Sequence, residues 1–595
     1  MKLKNLSLVL AGVVALSTSA GCMTKQPPKY DESKTTVVKV LAYDAGYGRD
    51  FIQKPADKFM EITKDIPYEE NKSGVYVDID YNPSAYGDAV AMKFGDPDYD
   101  IFMTQGLTLK QLDNSKSMLM NLNDLLNATT SNNQFASDYV EEESILERMD
   151  EDHKDYFYNQ TATYSVPLFV GSYLMTYDEE LMKDKALFIG DNSTDSYIEW
   201  VDEYGVKNPG PDGVYNTYDD GLPQTYAQMA TWFTQMNSVY SITPLHYSGK
   251  QAVHMTFLMN GFWSNAEGKE GVKMSFDPNG KTVPVGKLIT GFGENDTPIY
   301  NTEPVSITYE NANMLLKQKS IYQAVELAKQ FSQHPGTWIS GSAFAGQESH
   351  TDAQSTYLNS KFTSEPMLLF TDGSFWETEA AGVFEEGEEY GAGRMDRQLK
   401  ILPFPHPDRS VYGADGKTST TAVRQTIVVD SELQMIVRKD IDPAKLKAVQ
   451  DFFLYFNSQE GMAITTAYSA VPRPYRYEVP AEIAALASTY AKSVKNYLHN
   501  ENTDMVLRAA NNPLFNAKGG GTDYYSHYSY PFNSEYATGW SDYTIVNKFY
   551  EQQNALQPNN ITPRRWFEGI YNFTTKKISA TETRWHSYLR DAGLV

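Results

Sequence analysis

Glu377 and Glu379, and the run from Glu385 to Glu389, set carboxylates close together in a chain of 595 residues. Paired carboxylates can supply the acid and base of glycoside hydrolysis. The two groups normally come from separate elements, however, so closeness along one segment says little. Other catalytic sets are missing. The nine histidines are scattered, and none forms the His-Glu-x-x-His spacing of a zinc hydrolase. Gly416-Lys417-Thr418 matches the tail of a phosphate-binding loop, but Val411 stands where its first glycine is required. No Gly-x-Ser-x-Gly turn presents a serine nucleophile. The missing catalytic constellation points to binding over catalysis, so no enzyme activity is expected.

Asn208 to Asp219 has the rhythm of a twelve-residue calcium loop. Asn208, Asp212 and Asn216 fall on ligand positions, Gly213 on the turn, Val214 on the carbonyl position and Asp219 on the last. Gly210 offers no side chain at the third position, so Asp220 would have to add charge. A Gly/Pro/Asp-rich loop leading into the next helix reads the same way. No cofactor is required by the sequence, and a structural calcium is the one metal it suggests.

The single cysteine, Cys22, excludes an intrachain disulfide and a cysteine zinc cluster. Lys2 and Lys4 precede an apolar stretch from Leu6 to Leu16, and Ser19-Ala20-Gly21 leads to Cys22. That is a bacterial secretion signal, and it resembles the lipobox of lipoproteins, whose cysteine becomes the diacylated N-terminus. Ser19 departs from the leucine usual there. Residues 1–21 are expected to be the signal, and 22–36, with Pro27-Pro28, a lipid-anchored linker. Beyond it no uninterrupted apolar run of ~18 residues could span a bilayer. The expected location is the extracytoplasmic face of the cell membrane, held through the lipid alone.

A length near four times the ~150 residues typical of a domain implies two or three domains. Hydrophobic residues make up 41% of the chain, enough for sizeable cores. The net charge of −25 argues against nucleic acid, which needs concentrated lysine and arginine. Forty-two tyrosines provide flat apolar faces with polar tips.

The pattern predicts strands at 36–43, 75–81 and 99–104, alternating with helices at 50–62 and 86–94. Strand–helix alternation builds a parallel sheet whose ligands sit beyond the carboxyl ends of the strands. Tyr43, Asp44, Tyr47 and the Thr104-Gln105-Gly106 turn share that edge. A second α/β region starts with a strand at 172–177. Thr225 and Gln228 form a capping box that opens a helix to Met236, with a further helix at 321–333 and a strand at 367–370. The β-rich stretch 425–437 is long enough to cross between bodies. Helices are predicted at 443–457, 480–498, 563–577 and 580–591, and 500–560 reads as irregular. No internal repeat of 20–50 residues is present.

Taken together, several segments resemble the extracellular solute-binding proteins (family 1) of ABC sugar importers. They are the Tyr43-Asp-Ala-Gly-Tyr-Gly48 loop, Tyr164-Ser-Val-Pro167 with Tyr173 to Asp178, Asp219 to Tyr226, Asp372 to Glu379, Pro403 to Pro407, and Ala470 to Pro474. The resemblance covers about 37–595. It implies a two-lobed periplasmic-binding-protein-like (type II) α/β fold, each lobe a mostly parallel sheet wrapped by helices, joined by a multi-crossing hinge. Residues 37–168 plus 430–480 would form lobe 1, and 169–429 plus 481–595 lobe 2. The implied function is capture of a carbohydrate, an oligosaccharide, and its delivery by a monomer to the transmembrane subunits of an ABC permease.

A pyranose shows C–H groups on its faces and hydroxyls round its edge, so aromatic rings take the former and polar forks the latter. Trp376 and Tyr43 are the stacking candidates, with Trp376 on the cleft floor of the second lobe. Asp44, Gln105, Glu377 and Arg473 are the edge candidates, and Tyr47 joins them. Phe375 and Tyr247 stand where the family more often has Trp. Trp232 is expected in the core. Three other readings stay open: a secreted glycosidase, a peptide binder of the same fold, and a helical glycan-capturing lipoprotein. The last would lack the three early strands.

Overall fold

The computed structural model describes residues 30–129, 141–251, 253–346, 348–516, 531–532, 562–565, 567 and 580–594. Cys22 and the whole leader lie outside the described residues, as does most of 517–579. Along the chain run β1 (Thr36–Tyr43), α1 (Asp50–Thr63), β2 (Val75–Asn82), β3 (Ile101–Thr104), β4 (Val166–Pro167), β5 (Val170–Gly171) and β6 (Tyr173–Asp178). There follow α2 (Tyr226–Tyr240), β7 (Thr243–His246), α3 (Val253–Glu267), α4 (Lys319–Ser332), α5 (His350–Ser360), β8 (Met367–Gly373) and the single turn α6 (Trp376–Glu379). Then come β9 (Leu399–Leu402), β10 (Gln425–Ser431), β11 (Gln434–Val437), α7 (Leu446–Phe456), α8 (Gln459–Ser469), α9 (Thr489–Leu498) and β12 (Thr503–Leu507).

Two bodies result. In the first, the strand order is β2-β1-β3-β11-β4. β1 lies parallel to both β2 and β3, so Tyr43, Asn82 and Thr104 end at one edge. β1 is buried along most of its length, as a central strand covered on both faces must be. Edge strand β2 is buried only at alternate positions at its start. Phe51, Ile52 and Phe59 on one face of α1 join Phe452, Phe453 and Tyr455 of α7 in this core. The second body has the order β9-β6-β8-β7. Its larger core gathers Trp232, Trp263, Phe370 and Trp376. Trp232 is fully buried and donates its indole N–H to the Leu187 carbonyl at 3.1 Å, a core residue as expected.

Both sheets are mixed, where the sequence led to mostly parallel ones. The cause is the traffic between bodies. β4 carries the chain out of the first body and β11 carries it back, so they pair antiparallel, and β11 also runs antiparallel to β3. In the second body β6 is antiparallel to β8 and β9, and only β7–β8 is parallel. The 425–437 stretch does cross, as two strands broken at Glu432-Leu433. β10 pairs with β5 at Asp430–Gly171 and Ser431–Val170, which ties the outgoing and returning passages together. A third passage leads from α8, through Val471 and Tyr475 in the first core, to Ile483 and Tyr490 in the second. Among the described residues no helix is long and apolar enough to cross a membrane.

The predicted strands at 36–43, 75–81 and 99–104 are present within two residues of their bounds. Helix α8 and strand β12 fall where no separate element was expected.

Candidate functional site

The edge where β1 and β3 end faces the second body across the hinge. Glu432, at the break between β10 and β11, stands at its centre. The Tyr47 hydroxyl donates to its carboxylate at 2.8 Å and the Gln105 amide at 2.6 Å. Burial and the charge of Asp430 push the Glu432 carboxyl up to about 7. Asp430 itself holds Arg508 in a two-pronged pair, both bonds 2.8 Å. The Arg508 guanidinium lies 5.2 Å from the ring centre of Phe257. Phe257 in turn stacks on Tyr173, with centroids 4.3 Å apart and planes within 4°. Both rings are half-buried, which leaves apolar surface open to a ligand. The Tyr173 hydroxyl is pushed up by burial and by the carboxylates of Asp372, Glu432, Asp430 and Glu379 around it.

The far side of Tyr173 is a polar network built on α3, α5 and β8. Asp372 is buried, accepts from Gln354 at 3.0 Å and from the Gly373 amide at 2.7 Å, and is pushed up to about 7 by burial. His254 sits 3.6 Å from Asp372, and burial lowers its ring to about 4, so it is neutral at pH 7. Gln354 also reaches Glu379 at 2.6 Å, and the His350 ring lies 3.4 Å from Glu379 on its other oxygen.

The two bodies touch here. Thr378 donates its hydroxyl to the Gly46 carbonyl at 2.8 Å. Phe375 lies edge-on to Tyr47 with centroids 5.0 Å apart. A methyl group on Gly46 would come within 2.8 Å of the Glu379 carboxylate, so glycine permits this approach.

Of the sequence-predicted residues, the structure gathers Tyr43, Asp44, Tyr47, Gln105 and Phe375 at this junction. Tyr43 packs beside the exposed Tyr86, with centroids 5.5 Å apart. Asp44 is held by Arg49 at 2.6 Å. Four others are corrections. Trp376 has no exposed surface. It is enclosed by Phe370, Tyr357, Phe384 and Tyr490, and its indole N–H donates to Thr176 at 3.3 Å. Its neighbour Phe375 takes the cleft position, because successive residues at the start of α6 point in different directions. Glu377 is buried against Arg394 at 2.9 Å. Tyr247 is buried in the second core. Arg473 is sealed inside the first body between Phe456 and Tyr475, donates to the Phe456 carbonyl and Asn457, and is lowered to about 10 by burial.

Sequence reasoning missed Glu432, Asp430, Phe257, His254 and Arg508. Tyr173 and Asp372 lay inside quoted segments but were not singled out, and Glu379 was named only as a carboxylate of a hydrolytic pair. A carboxylate in the middle of the β-rich crossing was the available signal for Glu432.

Among the described residues, no group of three or more His, Cys, Asp or Glu side chains is placed to hold a metal ion. In the 208–220 loop, Asp212 accepts from the Val214 amide at 2.7 Å, Asp219 from the Asp212 amide at 2.8 Å and Asp220 from the Asn216 amide at 2.8 Å. The Val214 carbonyl accepts from Thr217 at 3.1 Å, and Asn208 bonds Leu222 and Gly221. Burial and the nearby Asp212 push Asp219 up to about 8. A separate cavity of about 320 Å³ lies where Lys110, Tyr156 and Tyr158 face Asn511 and Asn516, and no predicted residue lines it.

No family model matches the chain, and no curated protein matches it. Solved structures do. Apo RafE from Streptococcus pneumoniae is 12% identical with a TM-score of 0.48, covering 89% of this chain and 99% of that one. A chitin oligosaccharide binding protein is 11% identical with a TM-score of 0.46, covering 94% and 99%. The GacH receptor of Streptomyces glaucescens, solved unliganded and with acarbose, is 11% identical with a TM-score of 0.46, covering 94% and 99%.

Proposed function

We propose that this protein captures a carbohydrate between its two bodies and performs no chemistry on it. One observation carries this reading. The Tyr173–Phe257 stack offers an aromatic face, and carboxylates and amides from both bodies ring it at the hinge. Aromatic faces match the C–H faces of a pyranose, and the polar ring matches its hydroxyls. A ligand held by both bodies stabilises the closed arrangement and shifts the population towards it. The moving units would be 37–168 with 430–480, and 169–429 with 481–595. Delivery to an ABC permease, and anchoring outside the membrane through a lipid on Cys22, complete the proposal.

Intrinsic fluorescence and calorimetry against a glycan panel test it. Saturable binding of at least one glycan, with no reducing ends released, is the expected result. Release of reducing ends would replace it with the glycosidase reading. Calcium remains a proposal for the Asn208–Asp220 loop, where a divalent ion would offset the charge shared by Asp212 and Asp219. A rise in Tm on adding calcium chloride tests it.

A further inference from the structure

Four carboxylates surround Tyr173 at the junction: Asp372, Glu379, Asp430 and Glu432. Arg508 pairs with Asp430, and its charge also reaches Glu432. Among the described residues no lysine or arginine is paired with Asp372, Glu379 or Glu432. Their partners are histidines, amides and a phenol: His254 and Gln354 on Asp372, His350 and Gln354 on Glu379, Tyr47 and Gln105 on Glu432. The amides of Gln354 and Gln105 and the phenol of Tyr47 are neutral donors, which orient a carboxylate without cancelling its charge.

We propose that the cleft selects its glycan by charge, taking amine-bearing sugars ahead of neutral ones and turning away sugars with acid groups. The inference rests on the carbohydrate reading above and sharpens it. A sugar ammonium would gain charge-assisted hydrogen bonds to carboxylates that no lysine or arginine contacts directly. Closure removes water and strengthens that attraction. A uronate would bury a further negative charge beside Asp372, Glu379 and Glu432, none of which is paired with a lysine or arginine among the described residues, a cost that its hydroxyl contacts cannot offset. Asp372 and Glu432 are partly protonated near pH 7 because burial raises both. An ammonium beside them favours their ionised forms, so binding of an amine-bearing sugar should expel protons.

Short oligomers of glucose, glucosamine and glucuronic acid, in both α and β linkage, would be titrated by calorimetry near neutral pH. Two buffers of different ionisation heat would be used. The expected order is glucosamine tighter than glucose by tenfold or more, no binding of glucuronate, and a buffer-dependent heat for glucosamine alone. Raising the salt should shrink the amine advantage. Glu379→Gln should narrow the glucosamine-to-glucose ratio, and an unchanged ratio would overturn the role of that carboxylate. Glucuronate binding as well as glucose, or glucosamine no tighter than glucose, would overturn selection by charge and leave carbohydrate binding standing. Failure of all three series would overturn the carbohydrate reading and the inference with it.

Discussion

Side-chain direction separates Phe375 from Trp376. The two are adjacent, yet one ring faces Tyr47 across the junction and the other is enclosed in the second core. Trp376→Ala should therefore unfold the protein more easily, by about 3–5 kcal/mol, the usual cost of emptying a buried aromatic site. Thermal and urea denaturation would measure this. A normal Tm with lost sugar binding would contradict the buried assignment. Tyr173→Ala should show the opposite signature. Its ring is only partly buried on the stack, so sugar affinity should fall by roughly thirtyfold, the equivalent of ~2 kcal/mol at a central contact. Its Tm should change much less. Calorimetric affinity beside a melting curve distinguishes the two. The sequence offered Trp376 as the stacking ring because the Asp372 to Glu379 segment resembles one that stacks on sugars through its tryptophan. Which of two adjacent aromatics faces outward depends on how α6 begins, and that is set by packing far away in sequence.

At the scale of elements, the hinge was legible in part. An eight-residue β-branched run gave β1 to the residue, and the long apolar stretch at 425–437 announced a crossing. Strand direction was not legible, because it depends on which passage enters a body and which leaves it. Strand β12 escaped because its parallel partner β10 lies some 80 residues earlier and nothing local marks the pairing. Arg473 was misplaced for a similar reason. Its segment sits on the third passage, but the side chain turns into the first core. The hinge also explains Gly171. In β5 it lies against the Glu432 side chain, leaving no room for a Cβ. Gly171→Ala should displace Glu432 from Tyr47 and Gln105, lowering sugar affinity by about tenfold. A crystal structure of the variant with Glu432 unmoved, together with unchanged affinity, would refute this.

For the whole molecule, buried acids and histidines set the pH dependence of stability. Burial raises Asp372, Glu432 and Glu267 to about 7 and Asp219 to about 8, and lowers His254, His406 and His499 to about 4. Below about pH 6.5 the two sets oppose each other. The folded acids hold protons that the unfolded chain has released, while the folded histidines lack protons that the unfolded chain has gained. Above the ordinary histidine range the histidine contribution is constant. The acids then act alone, and stability falls as pH rises through 7 to 8. Melting curves should be nearly flat between about pH 5 and 6.5 and drop by several degrees by pH 8. A Tm that rises over that last interval would mean these carboxyls are ionised in the folded state.

The bare backbone at Gly46 has a practical reach. Since it abuts Phe375 and Glu379 of the opposite body, the residue at this position acts as a spacer between them. Alanine, valine and leucine introduced there form a graded wedge, each holding the junction wider than the last. Paired fluorophores on the two bodies would read that series as a ruler, and the same labelled protein would serve as a reagent that reports sugar in solution.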